Sequence, residues 1–312
     1  MDANDYLIHQ FTEANWDYLY EVVPHRNFLY AKVGHHGIIE IDINSKQIKQ
    51  TFNCDVEGWI SENVIIHNGR LFCFDNATHN LKGWNLANGA EIISAPGCET
   101  ISCALTLGSN LLFSGDNDGK IHVWDLANGR HSHEFEAFSS KIRALKYLPQ
   151  HNALVAVSSE SSDVKIFNAL TYTNIHTETG LSNAYSCCEF NGTLYIGGEG
   201  SRIYRLNLQS FEPLSPVDIP INETLYQISA RYGFIVAAGT GKAIYVYNQN
   251  LHPIAMLENA HQDDIRSVVI AENGLIATAS FDKSLKIFRL PEIVSRVQQR
   301  SNTSINPSAT YY

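Results

Sequence analysis

The sequence predicts an all-β protein built as seven four-stranded antiparallel units closed into a ring. Three observations carry this prediction. A short alternating apolar run ending at a polar mark recurs seven times at nearly constant spacing. A second apolar run precedes each of these, separated from it by turn residues. No stretch of useful length shows the 3.6-residue apolar period of a helix.

The clearest copy is SGDNDGKIHVWDLANGR, Ser114 to Arg130, where two turn signals flank an alternating run that ends in Trp124-Asp125. With Asp125 as the register mark, the run recurs as IIEIDI (Asp42), LKGWNL (Asn85), VKIFNA (Asn168), IYRLNL (Asn207), IYVYNQ (Asn248) and LKIFRL (Arg289). The gaps are 43, 40, 43, 39, 41 and 41 residues, inside the ~40–45 of four-stranded propeller blades. The upstream partners are NFLYAKV, RLFCFD, NLLFSG, ALVAVS, TLYIGG, GFIVAAG and GLIATAS, followed by turns such as Asn-Asp-Gly or Phe-Asp-Lys that suit hairpins. One such sheet cannot bury both its faces alone, and radial stacking of seven does bury them. A β-sandwich followed by a second β-domain would not hold one period along the chain. The expectation is a seven-bladed β-propeller over residues 1–290.

Closure of the ring follows from the fourth strand, which ends in Phe52, Phe135 and Leu257 in the first, third and sixth units. After Arg289 the equivalent place, in IVSRVQQRSN, is a poor match. The N-terminal IHQFTEA matches better and puts Phe11 41 residues before Phe52. Residues 5–12 are therefore expected to supply the outer strand of the seventh blade, because an unpaired sheet edge invites aggregation. Residues 291–312 are polar, lack periodicity and read as a disordered tail.

Composition sets outer bounds on function. Apolar content of 44% and charged content of 17% suit a large buried core. A formal charge of −10, from 22 basic and 32 acidic residues, disfavours nucleic acid or an acidic membrane as partner. No apolar run approaches the ~20 residues of a membrane span, and no secretory signal is visible at the N-terminus. The six cysteines contain no CxxC pair and read as buried, reduced thiols. A cytoplasmic location is the simplest expectation, with a nuclear one as the alternative.

The repeats SGDNDGKIHVWDL and NAHQDDIRSVVIAENGLIATASFDKSLKIF resemble those of the WD-repeat (WD40-type) β-propellers, and the register extends the resemblance over about residues 5–290. The resemblance implies a structural hydrogen-bond network within a blade: a His before the first strand, Ser or Thr in the second, Asp in the following turn and Trp in the third. In the last blade these are His261, Thr278 and Asp282, with Phe288 in place of Trp. In the third they are Ser114, Asp118 and Trp124, without a matching His. His261 and Asp282 are accordingly structural and form no catalytic dyad.

No catalytic signature with specific spacing is present: no HExxH, no Gly-rich phosphate loop, no GxSxG and no EF-hand pattern. His35-His36 falls at a hairpin turn, and His131 and His133 alternate along an outer strand, so no metal site is read there. Cys187-Cys188 lies in an innermost strand, where one thiol packs inward and its neighbour points the other way. Gly197-Gly198-Glu199-Gly200 is a strand-end turn. Neither enzyme activity nor a cofactor is expected.

Ligands of propellers usually bind where the innermost strands begin. The register places Trp16, Trp59, Ser102, Arg143, Tyr185, Tyr226 and Arg266 there, and six of these seven belong to the three residue types most enriched at binding hot spots. The neighbours one along (Ala144, Ser186, Ser267) are small. A companion position before the second turn carries Glu160, Glu199 and Phe281, which makes the rim amphoteric. The pattern is similar to the substrate-receiving face of F-box WD-repeat proteins, although two arginines are few for a doubly phosphorylated peptide and no F-box fits before the first blade. The expected function is a non-catalytic scaffold or adaptor that binds a protein or peptide on this rim, as a monomeric propeller inside a larger complex. The alternatives are a substrate-recognition subunit of a ubiquitin ligase, and a propeller enzyme or small-molecule binder using the central channel.

Overall fold

The structure, a computed structural model, describes the chain apart from residues 56–63, 76, 97–103, 108–110, 128, 159, 220–222, 292, 294 and 296–312, and the side chains of 104–107 are likewise outside it. Its strands form seven four-stranded antiparallel sheets. Their innermost strands are Leu19–His25, Ile65–His67, Ala104–Leu107, Ile142–Leu148, Ala184–Phe190, Leu225–Arg231 and Ile265–Ile270, which open blades 1 to 7 in chain order. Asn68-Gly69 and Asn191-Gly192 turn inner strands into their neighbours with both residues at positive φ. That is the two-residue hairpin geometry whose twist matches the strands it joins.

Burial is organised between blades. Among the described residues, the buried hydrophobic side chains fall into seven clusters, each lying between two neighbouring blades. Strand periodicity does this directly. In Phe234–Gly239, Phe234, Val236 and Ala238 pack toward blade 7, while Ile235 and Ala237 pack toward blade 5. In Ala153–Ser158, Ala153, Val155 and Val157 face blade 5, and Leu154 and Ala156 face blade 3. Cys187 and Cys188 obey the same rule, one facing blade 4 and the other blade 6. Both are buried thiols outside any disulfide, as are Cys54 and Cys73; burial pushes the Cys73 thiol well above its usual range. Cys98 and Cys103 lie outside the described residues.

The inner strands have no strand partner on the channel side, so their backbone groups need another source of hydrogen bonds. Neighbouring blades supply it. Val22 N–H donates to Ser267 Oγ (3.0 Å), Ile228 N–H to Ser186 Oγ (3.3 Å) and Val268 N–H to Gln227 Oε1 (2.9 Å). The inner strands line a 410 Å³ cavity, whose walls include Glu21, Lys146, Tyr147, Cys188 and Gln227.

The seventh sheet runs Ile265–Ile270, Ile276–Ser280, Leu285–Phe288 and then Leu7–Phe11, so the start of the chain provides its outer strand. Phe11 pairs with Leu285, and its ring is buried in the wedge between blades 7 and 1. The segment before it also clips blade 6. The Met1 amino group donates to the Met256 carbonyl (3.0 Å), and Ala3 N–H to that of Glu258 (3.0 Å). Most of the C-terminal tail, residues 296–312, lies outside the described residues.

A candidate binding site on the rim of the central opening

Five inner strands share one irregularity at their second residue. The ladder skips Tyr20 between Leu19 and Glu21, Arg143 between Ile142 and Ala144, Tyr185 between Ala184 and Ser186, Tyr226 between Leu225 and Gln227, and Arg266 between Ile265 and Ser267. Each is a β-bulge. A bulged residue leaves the strict in-and-out alternation, and its side chain is re-aimed. The register position chosen from the sequence is thus a structural device repeated from blade to blade.

The structure corrects one member of the set. Trp16 precedes the first inner strand by three residues, its N–H held by the Glu13 carbonyl in a turn, and at 5% exposure its indole packs in the wedge between blades 7 and 1. Tyr20 occupies the bulge instead. The repeat spacing places Trp16 there because it takes the connections between blades as equal in length, whereas aligning Leu19 with Ile265 finds Tyr20. Trp59 and Ser102 lie outside the described residues.

The bulge residues build one arc across five blades. The Arg143 guanidinium lies 5.3 Å from the Tyr185 ring, whose centroid is 5.8 Å from that of Tyr226 at 85°. Tyr226 stacks against Arg266 at 3.8 Å, and Arg266 lies 5.0 Å from Phe281. Phe281 then meets Tyr18 at 4.8 Å and Tyr20 at 5.6 Å, and Lys283 closes over Tyr18 at 5.5 Å. Arg143, Arg266 and Lys283 each lie over an aromatic face, an arrangement favoured by the ring quadrupole. Sequence reasoning missed Tyr18, Tyr20 and Lys283; the alternation in DYLYEVV was the signal for the two tyrosines.

Access differs along the arc. Arg266 is only 4% exposed, sandwiched between Tyr226 and Phe281, so it anchors the rim from within. Burial pulls its guanidinium below its ordinary range. Arg143, Tyr185, Tyr226 and Phe281 are half-buried, and Tyr18 is 43% exposed. Tyr185 donates to Glu199 Oε1 (3.0 Å) and Asn183 Nδ2 to Glu199 Oε2 (2.9 Å), so that carboxylate is already engaged. Burial, then the Glu199 bond, raises the Tyr185 hydroxyl. Glu160 is exposed. Burial also raises the Asp264 carboxyl beside Arg266, reinforced by Asp263. The accessible chemistry is aromatic faces, one guanidinium, one ammonium and a carboxylate. Among the described residues it contains no nucleophile set against a base.

The histidine network of blade 7 is closed and internal. His261 pairs Nδ1 with Asp282 Oδ2 (2.8 Å) and Nε2 with Thr278 Oγ1 (2.7 Å). Phe288, which replaces the indole, packs in the apolar wedge between blades 6 and 7. In blade 3, Trp124 Nε1–H donates to Ser114 Oγ (2.9 Å). Asp118 does not join them: it is exposed, and the buried carboxylate is that of Asp116, 2.8 Å from His122 Nε2. With no histidine read ahead of that blade's inner strand, nothing draws Asp118 inward.

A ring of seven four-stranded antiparallel blades, sealed by a strand from the opposite end of the chain, defines a seven-bladed β-propeller. The model of the family "WD domain, G-beta repeat" matches residues 93–125 and 252–289, the stretches that carry most of blades 3 and 7. These two repeat matches and the seven-bladed ring support a WD-repeat propeller family. It is 22% identical over 284 residues to the Periodic tryptophan protein 2 homolog of Dictyostelium discoideum. The match covers 88% of this chain and 24% of that protein, so the chain spans about a quarter of its relative's length. Among the described residues, no helix is long and apolar enough to cross a membrane.

Proposed function

We propose that this propeller is a non-catalytic interaction scaffold that binds a protein segment across the rim arc from Arg143 to Tyr18. The observation that supports the reading is the bulge at the same position of five inner strands, each presenting Tyr or Arg. A packing role alone would be served by aliphatic residues in a regular ladder. Because the arc is stacked in advance, a ligand meets anchors whose rotamers are already fixed, which lowers the ordering cost of binding. Arg143 suits an acidic side chain, Tyr185, Tyr226 and Tyr18 suit apolar or cationic groups, and Glu160 a basic one.

The test is capture of partners from cell lysate on wild type and on an Arg143→Glu/Tyr185→Ala variant, both substitutions being at half-buried positions. Loss of specific partners by a variant with an unchanged melting temperature supports the rim as the binding surface. An identical partner set from both proteins shows that the arc only plugs the channel. Arg143 also supports the narrower reading of a substrate receptor, for which a phosphorylated peptide must outbind its unphosphorylated twin on wild type and not on Arg143→Glu.

A further inference from the structure

Blade 3 carries a cluster that the rim does not use. His122 lies on the third strand, Lys120–Asp125, directly opposite Glu134 on the outer strand, Arg130–Glu136. In a regular strand His131 and Glu134, three residues apart, would point to opposite faces. The ladder however shifts between Val123 and Trp124, so that Val123 pairs with His133 and Trp124 with His131, and Ser132 is the extra residue. Ser132 Oγ returns a hydrogen bond to the Val123 carbonyl (3.0 Å). The bulge rephases the alternation and brings His131 onto the face of Glu134 and His122.

The two separations measured from His122 match those within a tetrahedral coordination shell. His122 Nδ1 is 3.3 Å from His131 Nε2 and 3.5 Å from Glu134 Oε2, and the three atoms lie within 4.8 Å of one another. Tetrahedral ligands at about 2.0–2.2 Å from an ion are separated by about 3.3–3.6 Å. A second observation concerns orientation. His122 is buried, and its other nitrogen, Nε2, faces the buried Asp116 carboxylate at 2.8 Å. Asp116 thereby fixes the tautomer with the proton on Nε2 and turns the Nδ1 lone pair toward His131 and Glu134, as carboxylates behind metal-bound imidazoles do. Glu134 gives its other oxygen, Oε1, to Lys120 (2.9 Å), which leaves Oε2 for an ion.

We propose that His122, His131 and Glu134 bind a divalent transition-metal ion, with Asp116 as the positioning residue and a fourth coordination place open to solvent. Two imidazoles and one carboxylate suit Zn²⁺ and its borderline neighbours, whereas Mg²⁺ and Ca²⁺ prefer shells of oxygen. His131 and Glu134 are exposed, so the ion would sit at the surface of the blade, within reach of water or of a donor from another molecule.

Calorimetric titration of the metal-free full chain with ZnCl2 tests this, run on wild type, His131→Gln and Glu134→Gln. Both substitutions are at exposed positions, and unchanged melting of the metal-free variants verifies their fold. Wild type is expected to bind one equivalent, and each variant to bind at least ~10-fold more weakly, the scale on which even supporting residues of metal sites act. Co²⁺ provides an independent readout, because the His131 ring lies 5.0 Å from that of Trp124. Indole emission should fall to a plateau at one equivalent in wild type and not in His131→Gln. Absence of Zn²⁺ uptake by wild type overturns the proposal, as does a loss of less than ~10-fold in His131→Gln, which would assign the uptake to other histidines.

Discussion

Blades 3 and 7 hold a buried histidine beside a carboxylate, but at different points of the repeat. In blade 7 His261 arrives from the loop ahead of the inner strand, and both its nitrogens are consumed by Asp282 and Thr278, with Ser284 Oγ at 3.2 Å from Nδ1. In blade 3 the histidine is part of the third strand: His122 pairs with Ser114 as Lys286 pairs with Thr278. Its Nε2 is turned to Asp116, and its Nδ1 faces His131 and Glu134 of the outer strand. A ring with both nitrogens engaged inside the fold is a structural brace. A ring with one nitrogen braced and the other facing a half-open cluster has chemistry left to offer.

The blades also differ in how they are completed, and here the largest effect is expected. All four strands of blade 3 are contiguous in sequence, while blade 7 borrows Leu7–Phe11. Deleting residues 1–12 removes a full outer strand, the buried Phe11 and the clip onto blade 6. Loss of one buried Phe side chain costs about 3–5 kcal/mol, and the unpaired edge adds to it. A fall in melting temperature of at least ~10 °C, or insolubility, is expected by calorimetry; an unchanged melt would refute closure by the N-terminus.

Next come the two networks. Asp282→Ala leaves His261, Ser284 and the Gln262 N–H without their acceptor, at a cost of about 3 kcal/mol. Ser114→Ala orphans one indole N–H, which costs about 1–2 kcal/mol. Chemical denaturation of both variants ranks them, and a greater loss for Ser114→Ala would mean that blade 3 is braced by its indole as firmly as blade 7 by its histidine.

Acid should act on blade 7 in the same direction. Burial lowers His261, with Asp282 opposing in part. Burial alone would raise Asp282, but its bonds from His261, Ser284 and the Gln262 backbone outweigh this and depress it. Both groups bind protons more weakly folded than unfolded, so their stabilisation is complete at neutral pH. It begins to fade as pH drops below 6.5, the unperturbed histidine value, and fades further below 3.8, that of Asp. The melting temperature of His261→Gln should therefore decline less steeply than wild type between pH 7 and 5. Parallel slopes would place the acid sensitivity in other groups.

The ring was legible because every blade must bury two faces with a strand period, and that requirement writes itself as a 41-residue repeat. N-terminal closure was legible for the same reason, since Phe11 stands where Phe52 stands one repeat later. The rim position was legible in four of its members, Arg143, Tyr185, Tyr226 and Arg266, because their inner strands are evenly spaced. Trp16 shows where this stops: it stands one repeat spacing before Trp59, while connection length, which packing does not constrain, puts Tyr20 at the bulge. The blade 3 cluster was hidden more deeply. Strict alternation put His131 with His133, and only the bulge at Ser132, which no residue type announces, sets it beside Glu134.

The smallest expected effect separates family pattern from local geometry most cleanly. Asp118 stands where Asp282 stands in blade 7, yet it is exposed and contributes only a backbone N–H, which donates to Asp116 Oδ1 (3.0 Å). Asp118→Ala should change stability by less than about 0.5 kcal/mol, as expected at an exposed site without such ties. Asp116→Ala, in contrast, removes the acceptor for the N–H groups of Asp118 and Lys120 and the partner of His122. Denaturation midpoints of the two variants decide between the readings. If Asp118→Ala were the more damaging, the turn would close around the pattern of blade 7 and His122 would lose its fixed tautomer. A loss confined to Asp116→Ala means that blade 3 has moved its carboxylate two residues upstream, where it serves a histidine that looks outward.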